Sequence, residues 1–584
     1  MRGADMKYQW ILGVLLGMGA WICPAESASA EKNGIADYWQ PPAKKIIGCG
    51  WEQAISVARL KEILPELEKN SPYSGISLRI QGQHEDGYTF STHFAFSPEP
   101  SEGHGTEIIR WKYEWFKKDI AALRSMKFTR FKDNFIWTNS RDGKVDWFND
   151  QNWSDVCNNF AVLAKIAKET KLKGLIFDAE WYRNSNPVFS RIAPGKSYAE
   201  MAAKARQRGQ EWGRAIFGEY PDITLFCLFM FSWKENLRSA PECCDLTVPF
   251  FNGVYDVLPP TATLIEGHEY HGYASGTGDH YAGLRCDMAQ VLPMMVDKSN
   301  IEKFRRQTRL ACALYLDPYV FSGKPDTFRR RIGPEIRKSN ALTVLRRNLF
   351  HALNTTDEYV WIWSEGARWH YSKPGHPGAK KVWQQEAPGI RDCFESVQEP
   401  LTYARRLVAE KSARLRSENP DFSGDFVKPN CPRGYDFWLS DAKDKGTCVK
   451  VPGGGIGGGN AVSIAGCSST LTFTQEHAVA PDQMYYIRVK ARFDKVVSGQ
   501  YAVMVQFCDS NKRFCWYRES PSCRFGEPDA DGWRTAELTV LVPQEMNRMF
   551  VRLYGAWMQP EDKLTIGLFE VYRLKENFLA ANAQ

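Results

Sequence analysis

Gly174-Leu175-Ile176-Phe177-Asp178-Ala179-Glu180-Trp181-Tyr182 is an apolar run that ends in two carboxylates set two positions apart. A strand turns alternate side chains to one face, so Asp178 and Glu180 emerge together if this run is extended. Charge inside an apolar strand is costly, so the doublet belongs at a strand end rather than within it. Seven further short runs of β-forming residues flank this one, at 45–51, 75–81, 128–137, 223–231, 262–270, 309–319 and 358–365, and the quoted run itself predicts a strand over 173–181. Segments with apolar residues at helical spacing lie between them, at 153–170, 198–217 and 342–353. Strands alternating with helices signal repeated βα units and a parallel sheet. Eight of them in about 370 residues predict a (β/α)8 barrel over 31–415, with long loops. A doubly wound open sheet is the alternative, but no Gly-rich turn follows the first strand.

The character changes beyond a predicted helical linker at 404–417. Short strand patterns recur at 461–465, 471–474, 485–493, 501–508, 534–542, 549–554 and 564–573, with little helical periodicity. They predict an all-β sandwich over 416–584. The run Gly453-Gly454-Gly455-Ile456-Gly457-Gly458-Gly459 lacks the GK[ST] ending of a phosphate loop and reads as a connection between strands.

The first thirty residues read as a cleaved leader. Arg2 and Lys7 give a positive start, residues 10–23 are apolar, and Ala28-Ser29-Ala30 is a small-x-small cleavage site. The apolar run is short for a membrane span, so a retained anchor is the alternative reading, and no later stretch is apolar enough to cross a bilayer. A secreted or periplasmic protein is expected, in which the 15 cysteines are free to form disulfides. Cys508, Cys515 and Cys523 are close enough for a local bridge, and Cys431, Cys448 and Cys467 could pair with one another or with that group; the pairing is left open.

Composition narrows the function. Net charge is +7 and basic residues are scattered among acidic ones, which speaks against nucleic acid as a partner. Twenty Trp and 24 Tyr exceed what a core needs. Flat rings with a polar handle match the C–H faces and hydroxyl edges of sugars, although a large barrel also buries aromatics.

In such barrels functional groups sit at the C-terminal strand ends. Glu180 and Asp178 are the first candidates: a carboxyl that donates a proton to a leaving oxygen needs a raised pKa, and a neighbouring negative charge raises it. Trp181 and Tyr182 follow as substrate-binding aromatics. The eighth strand sets Trp361, Trp363 and Glu365 on one face. The sixth sets Glu266 and His268 on one face, Glu269 and His271 on the other. Its HExH spacing is not the helical HExxH of zinc proteases. The third offers Arg130, Lys132 and Asn134 on one face. Asp317 ends the seventh, and Trp51 follows the first. Without a CxxC pair or a G-x-S-x-G elbow, neither metal, cofactor nor serine nucleophile is expected. Oligomeric state is left open.

The segment from Phe177 to Tyr182 resembles the fourth-strand DxE element of chitinase-like (β/α)8 glycoside hydrolases, and also the fourth strand of the large retaining clan. Ile176 replaces a further Asp of the first pattern, and Ala179 replaces an Asn of the second. Both resemblances imply that Glu180 is the acid, and neither identifies the second carboxylate. From the strand ends themselves, Asp178 is expected to tune Glu180 or orient the substrate, and Glu365 or Glu266 to act as nucleophile or base. The C-terminal region resembles galactose-binding-like carbohydrate-binding modules through Asn419-Pro420-Asp421-Phe422, Trp438, Asn460-Ala461-Val462, Asp531-Gly532-Trp533 and the closing segment from Ile566 to Tyr572. Together they imply a glycoside hydrolase acting on a polysaccharide or glycoconjugate. A non-catalytic glycan-binding or cell-surface scaffold is the alternative.

Overall fold

The structure is a computed structural model that describes residues 44–50, 56–92, 95–96, 108–140, 145–179, 189, 193–232, 246–321, 332, 336, 340–370, 381–428, 431–515 and 521–574. They divide into two compact units, 44–398 and 399–574. The expected leader, Trp51, Glu180, Trp181 and Tyr182 lie outside the described residues.

The first unit repeats strand and helix: β1 (Lys45–Cys49), α1 (Val57–Asn70), β2 (Gly75–Leu78), α2 (Lys117–Ser125), β3 (Phe135–Asn139), α3 (Asp150–Glu169), β4 (Gly174–Asp178), α4 (Tyr198–Glu219), β5 (Thr224–Cys227), α5 (Thr247–Val257), β6 (Thr263–Glu266) and α6 (Ile301–Gln307). Then come β7, in two pieces (Thr308–Leu310 and Cys312–Tyr315), α7 (Ala341–Thr355), β8 (Tyr359–Trp363) and α8 (Ile390–Gln398). Local sequence starts these helices well. Ser197 and Glu200 form a reciprocal capping box on α4, and the Asn149 side chain accepts from two amides at the head of α3.

All barrel pairings are parallel, and the sheet returns on itself through β7. Its first piece pairs with β6 and its second with β8, which in turn pairs with β1. Ala311, between the pieces, keeps the ladder going by donating to Glu266 O at 2.9 Å. The fold is therefore a nearly closed α/β barrel, as expected.

Ring contacts reveal which faces look inward. Phe135 of β3, Phe226 of β5 and Tyr359 of β8 have ring centroids 5.7–5.9 Å apart. Side chains from three non-adjacent strands can meet only in the lumen. Partners across a ladder share a face, so the register carries this assignment around the barrel. Asn139 is opposite Asp178, Ile176 is opposite Phe226, and Phe226 is opposite Ile265. Asp178 therefore faces the lumen. Glu266, one step past Ile265, faces the helices.

The floor is closed by charge. Lys45 Nζ lies 2.8 Å from both Asp133 Oδ1 and Glu358 Oε1, and the Tyr359 hydroxyl donates to Asp133 at 2.8 Å. The third strand begins at Phe135, later than the expected 128. Lys132 and Asn134 consequently precede it, at the floor end.

Besides a two-stranded ribbon of Phe426–Lys428 with Cys431–Pro432, the second unit contains two larger antiparallel sheets: β9 (Arg414–Leu415), β10 (Asp436–Leu439), β11 (Thr447–Val451), β12 (Ala461–Ala465), β13 (Leu471–Ala478), β14 (Met484–Lys495), β15 (Gln500–Cys508), β16 (Ser522–Arg524), β17 (Arg534–Leu541), β18 (Arg548–Ala556) and β19 (Lys563–Arg573). One has the order β11-β12-β19-β14-β17, with β9 added on β19; the other has the order β10-β13-β18-β15-β16. Inward residues alternate cleanly along β13, where Leu471, Phe473 and Gln475 are buried and the residues between them are not. Tyr435 stacks on Phe473 at 4.6 Å within this core. The glycine run connects β11 to β12.

The predicted linker helix at 404–417 is corrected. It occupies Pro400–Ala409 and then stops. Lys411 adopts φ 56°, and Ser412 N returns to Leu407 O at 2.8 Å, a left-handed C-terminal stop. The chain beyond it joins the sheet as β9.

Candidate functional site

The C-terminal ends of the barrel strands gather polar and aromatic groups on the lumen side. Asp178 is 8% exposed at the tip of β4. Trp137 of β3 and Trp363 of β8 lie 5.7 Å apart, ring to ring, across the lumen. Trp363 and Glu365 are half-buried and so reachable from solvent.

Glu365 is tightly held. Trp363 Nε1 donates to its Oε1 at 3.1 Å and the Tyr315 hydroxyl donates to its Oε2 at 3.2 Å. Its backbone N–H is directed at Asp317, 3.2 Å from Oδ1 and 3.3 Å from Oδ2. Tyr315 faces the lumen opposite Trp363 in the ladder. Burial, then the charges of Asp317 and Glu365, push its phenol above the ordinary range, so it stays a donor. A carboxylate fixed by two side-chain donors above an aromatic wall is pre-positioned to take part in acid–base or nucleophilic chemistry on a flat-faced substrate.

The mouth closes between β1 and β8. Gly50, just past β1, has φ +116°, and a Cβ there would lie 2.4 Å from Ser364 O. Only glycine lets the two strand ends approach so closely.

Other expected site residues are placed elsewhere. Glu266 is fully buried on the helix side of β6. Its oxygens accept from Met230 N, Phe231 N and Ser232 Oγ at 2.8–3.2 Å, which ties the segment after β5 to β6. Burial raises its pKa against those donors. It is thus removed from the pool of second carboxylates. His268 is 1% exposed, and burial followed by the nearby His271 lowers it to about 3, leaving it neutral. Asp317 is fully buried beneath Glu365 and supports it from behind. Lys132 Nζ donates to Phe128 O at 2.7 Å. Asn134 bridges Ile76 N and Phe131 O. Both lie at the floor, away from the mouth. Of the twelve candidates, the described residues bring Asp178, Trp363 and Glu365 to the lumen side of the mouth.

Several mouth residues escaped the sequence reading. Trp137 and Asn139 continue the inward alternation of Phe135. Tyr315 does the same in β7. Cys49 ends β1 with its thiol beside Ser77, and burial raises its pKa, so it is no thiolate nucleophile. Arg79 extends the lumen face of β2. Burial lowers it only to about 10, so it remains a cation there. The available signal was alternation carried two residues beyond each apolar run. Among the described residues no group of three or more His, Cys, Asp or Glu could hold a metal ion.

A second concavity lies on the outer face of the β10-β13-β18-β15-β16 sheet. It measures about 600 Å³, and Asp436, Trp438, Thr472, Glu476, Phe550 and Arg552 line it. That volume falls within the ~300–1,000 Å³ of small-molecule sites.

No protein-family model matches the chain, and no curated protein matches it in sequence. Three solved structures are among those similar in part. The enzymatically active domain of tailspike protein 4 from bacteriophage CBA120 is 10% identical, covering 37% of this chain and 26% of its own, at a TM-score of 0.22. The CBM22-1–GH10 modules of a Clostridium thermocellum endo-1,4-beta-D-xylanase are 12% identical, covering 29% and 30%, at 0.21. TmCBM61, in complex with beta-1,4-galactotriose, is 17% identical, covering 27% of this chain and 99% of its own, at 0.20. The chain thus spans under a third of the first two structures. Likeness at that level carries neither a family nor an activity across.

Proposed function

We propose that this chain is an exported glycoside hydrolase. Its barrel mouth cleaves glycosidic bonds in a polysaccharide or glycoconjugate, and its sandwich holds glycan. The observation that carries the reading is the mouth itself: Asp178 and Glu365 stand at lumen-facing strand ends, with the Trp137–Trp363 pair as an aromatic wall.

Glycosidic cleavage needs one carboxyl to protonate the leaving oxygen and another to act as base or nucleophile. In this proposal Glu180, two residues past Asp178, is the acid. Asp178, two positions earlier in sequence, would tune it or orient the substrate. Glu365 supplies the second carboxylate, held ready by Trp363 and Tyr315. A separation near ~5 Å between the two implies retention, and ~6.5–9.5 Å implies inversion.

The test is hydrolysis of a polysaccharide panel by the full chain, with products separated by chromatography. Glu180→Gln and Glu365→Gln should each lower turnover by orders of magnitude while the protein melts as before. Near-normal turnover in either variant removes that residue from its role. A glycan-binding protein without turnover is the rival reading, supported by the concavity on the second unit. It predicts retention of glycan and no product from any member of the panel.

A further inference from the structure

We infer that the concavity on the second unit is a groove for an uncharged glycan longer than one sugar ring, held by the Trp438 plate with Asp436 and Arg552 in the neighbouring row. This rests on the carbohydrate reading above and names the ligand class of the sandwich.

Register builds the groove from three chain segments far apart in sequence. Trp438 of β10 is opposite Thr472 of β13, which is opposite Tyr554 of β18. The next row is Asp436, Thr474 and Arg552. Glu476 and Phe550 begin a third. Rows two residues apart are about 6.6 Å apart along a strand, so three rows span about 13 Å, more than one pyranose ring.

The chemistry of the lining selects the ligand. Trp438 is 42% exposed on the outer face of β10, whose inward neighbours Phe437 and Leu439 pack against the core. An indole plate left in a polar groove suits the C–H face of a sugar. Arg552 Cζ lies 5.3 Å from the centroid of the Phe550 ring, a cation–π contact that holds the side chain over the groove's aromatic lining. Its Nε is buried and has no hydrogen-bond partner.

Charge in the groove is balanced. Arg548 pairs with Glu476 at 3.2 Å. The Asp436 carboxylate acts on Arg552, opposing the loss of basicity that burial causes there. A uronate or sulfate entering the groove meets the carboxylates of Asp436 and Glu476 as well as the guanidinium groups, so it gains no net attraction, which disfavours it. Sugar hydroxyls both donate and accept, and so suit a groove that presents both a carboxylate and a guanidinium group.

Calorimetry on the full chain tests this with named probes. Cellohexaose, xylohexaose, mannohexaose and galactotetraose form the uncharged set. Hexagalacturonate and a chondroitin sulfate hexasaccharide form the anionic set. At physiological salt at least one uncharged probe should bind and the anionic set should not. Trp438→Ala, Asp436→Asn and Arg552→Gln should each weaken binding by about tenfold or more, about 1.4 kcal/mol. Unchanged melting curves show that the fold is kept, and the exposed Trp438 is the safest of the three to change. Silence from the whole uncharged set, binding of anionic probes alone, or parent-like affinity in both Trp438→Ala and Arg552→Gln overturns the inference. A chain that binds without hydrolysing keeps this inference and loses the proposed reaction, and one that hydrolyses without groove binding does the reverse.

Discussion

The Tyr315 hydroxyl donates to Glu365 Oε2 across 3.2 Å, joining the end of β7 to the tip of β8 at the barrel mouth. Tyr315→Phe deletes that donor and little volume. A hydrogen bond to a charged group is worth about 1.5–3 kcal/mol. If Glu365 is the working carboxylate, kcat should fall about tenfold to a hundredfold, with a smaller change in KM. Steady-state kinetics on the polysaccharide that the parent cleaves best provide the check. An unchanged kcat moves the chemistry away from Glu365.

Glu266 makes a pH prediction whose sign is fixed by its burial. Its folded pKa is raised above the ordinary 4.5. Its contribution to stability is then fully present below about 4.5 and is lost as pH rises through the raised value. Glu266→Gln cannot ionise. Parent stability relative to this variant should therefore decline from acid to neutral pH, read as urea midpoints at each pH. A constant difference contradicts the assignment. Glu266→Ala should unfold far more readily, because Met230 N, Phe231 N and Ser232 Oγ lose their acceptor.

His268 should be silent to titration between ~5 and 8, where an ordinary histidine changes charge. Its pKa is lowered to about 3, so stability held by the neutral ring is present above 6.5 and lost as pH falls through 3. Imidazole chemical shifts followed by NMR decide this. A midpoint near 6.5 would show that the ring reaches water.

Gly50→Ala should destabilise the barrel at its closing seam. The new Cβ meets Ser364 O at 2.4 Å and φ is +116°. Backbone strain of this kind costs about 1–3 kcal/mol. A melting temperature several degrees lower is expected, and an unchanged one would mean that β1 and β8 part more easily than their ladder indicates.

The quoted stretch at 174–182 illustrates how far one sequence reaches. Its apolar run did become β4, and alternation did set Asp178 on the lumen side. The neighbouring inference about Glu266 did not carry over. Glu266 also ends an apolar strand, yet its ladder partner is Cys227, one step out of phase with the inward Phe226. Nothing within 262–270 reveals that phase. Lys132 and Asn134 are removed from the mouth for a related reason: β3 starts at Phe135, later than its apolar lead-in, so both residues fall at the floor.

Strands, helices and their alternation were determined by the sequence itself, because burial periodicity and capping are local properties of neighbouring residues. Which carboxylates share a mouth was decided only in three dimensions. Inward or outward is a relation between strands, set by register around a closed sheet. The groove on the second unit is the extreme case, since Trp438, Glu476 and Arg552 come from three strands whose pairing makes one surface. No single segment contains enough of that surface to announce it.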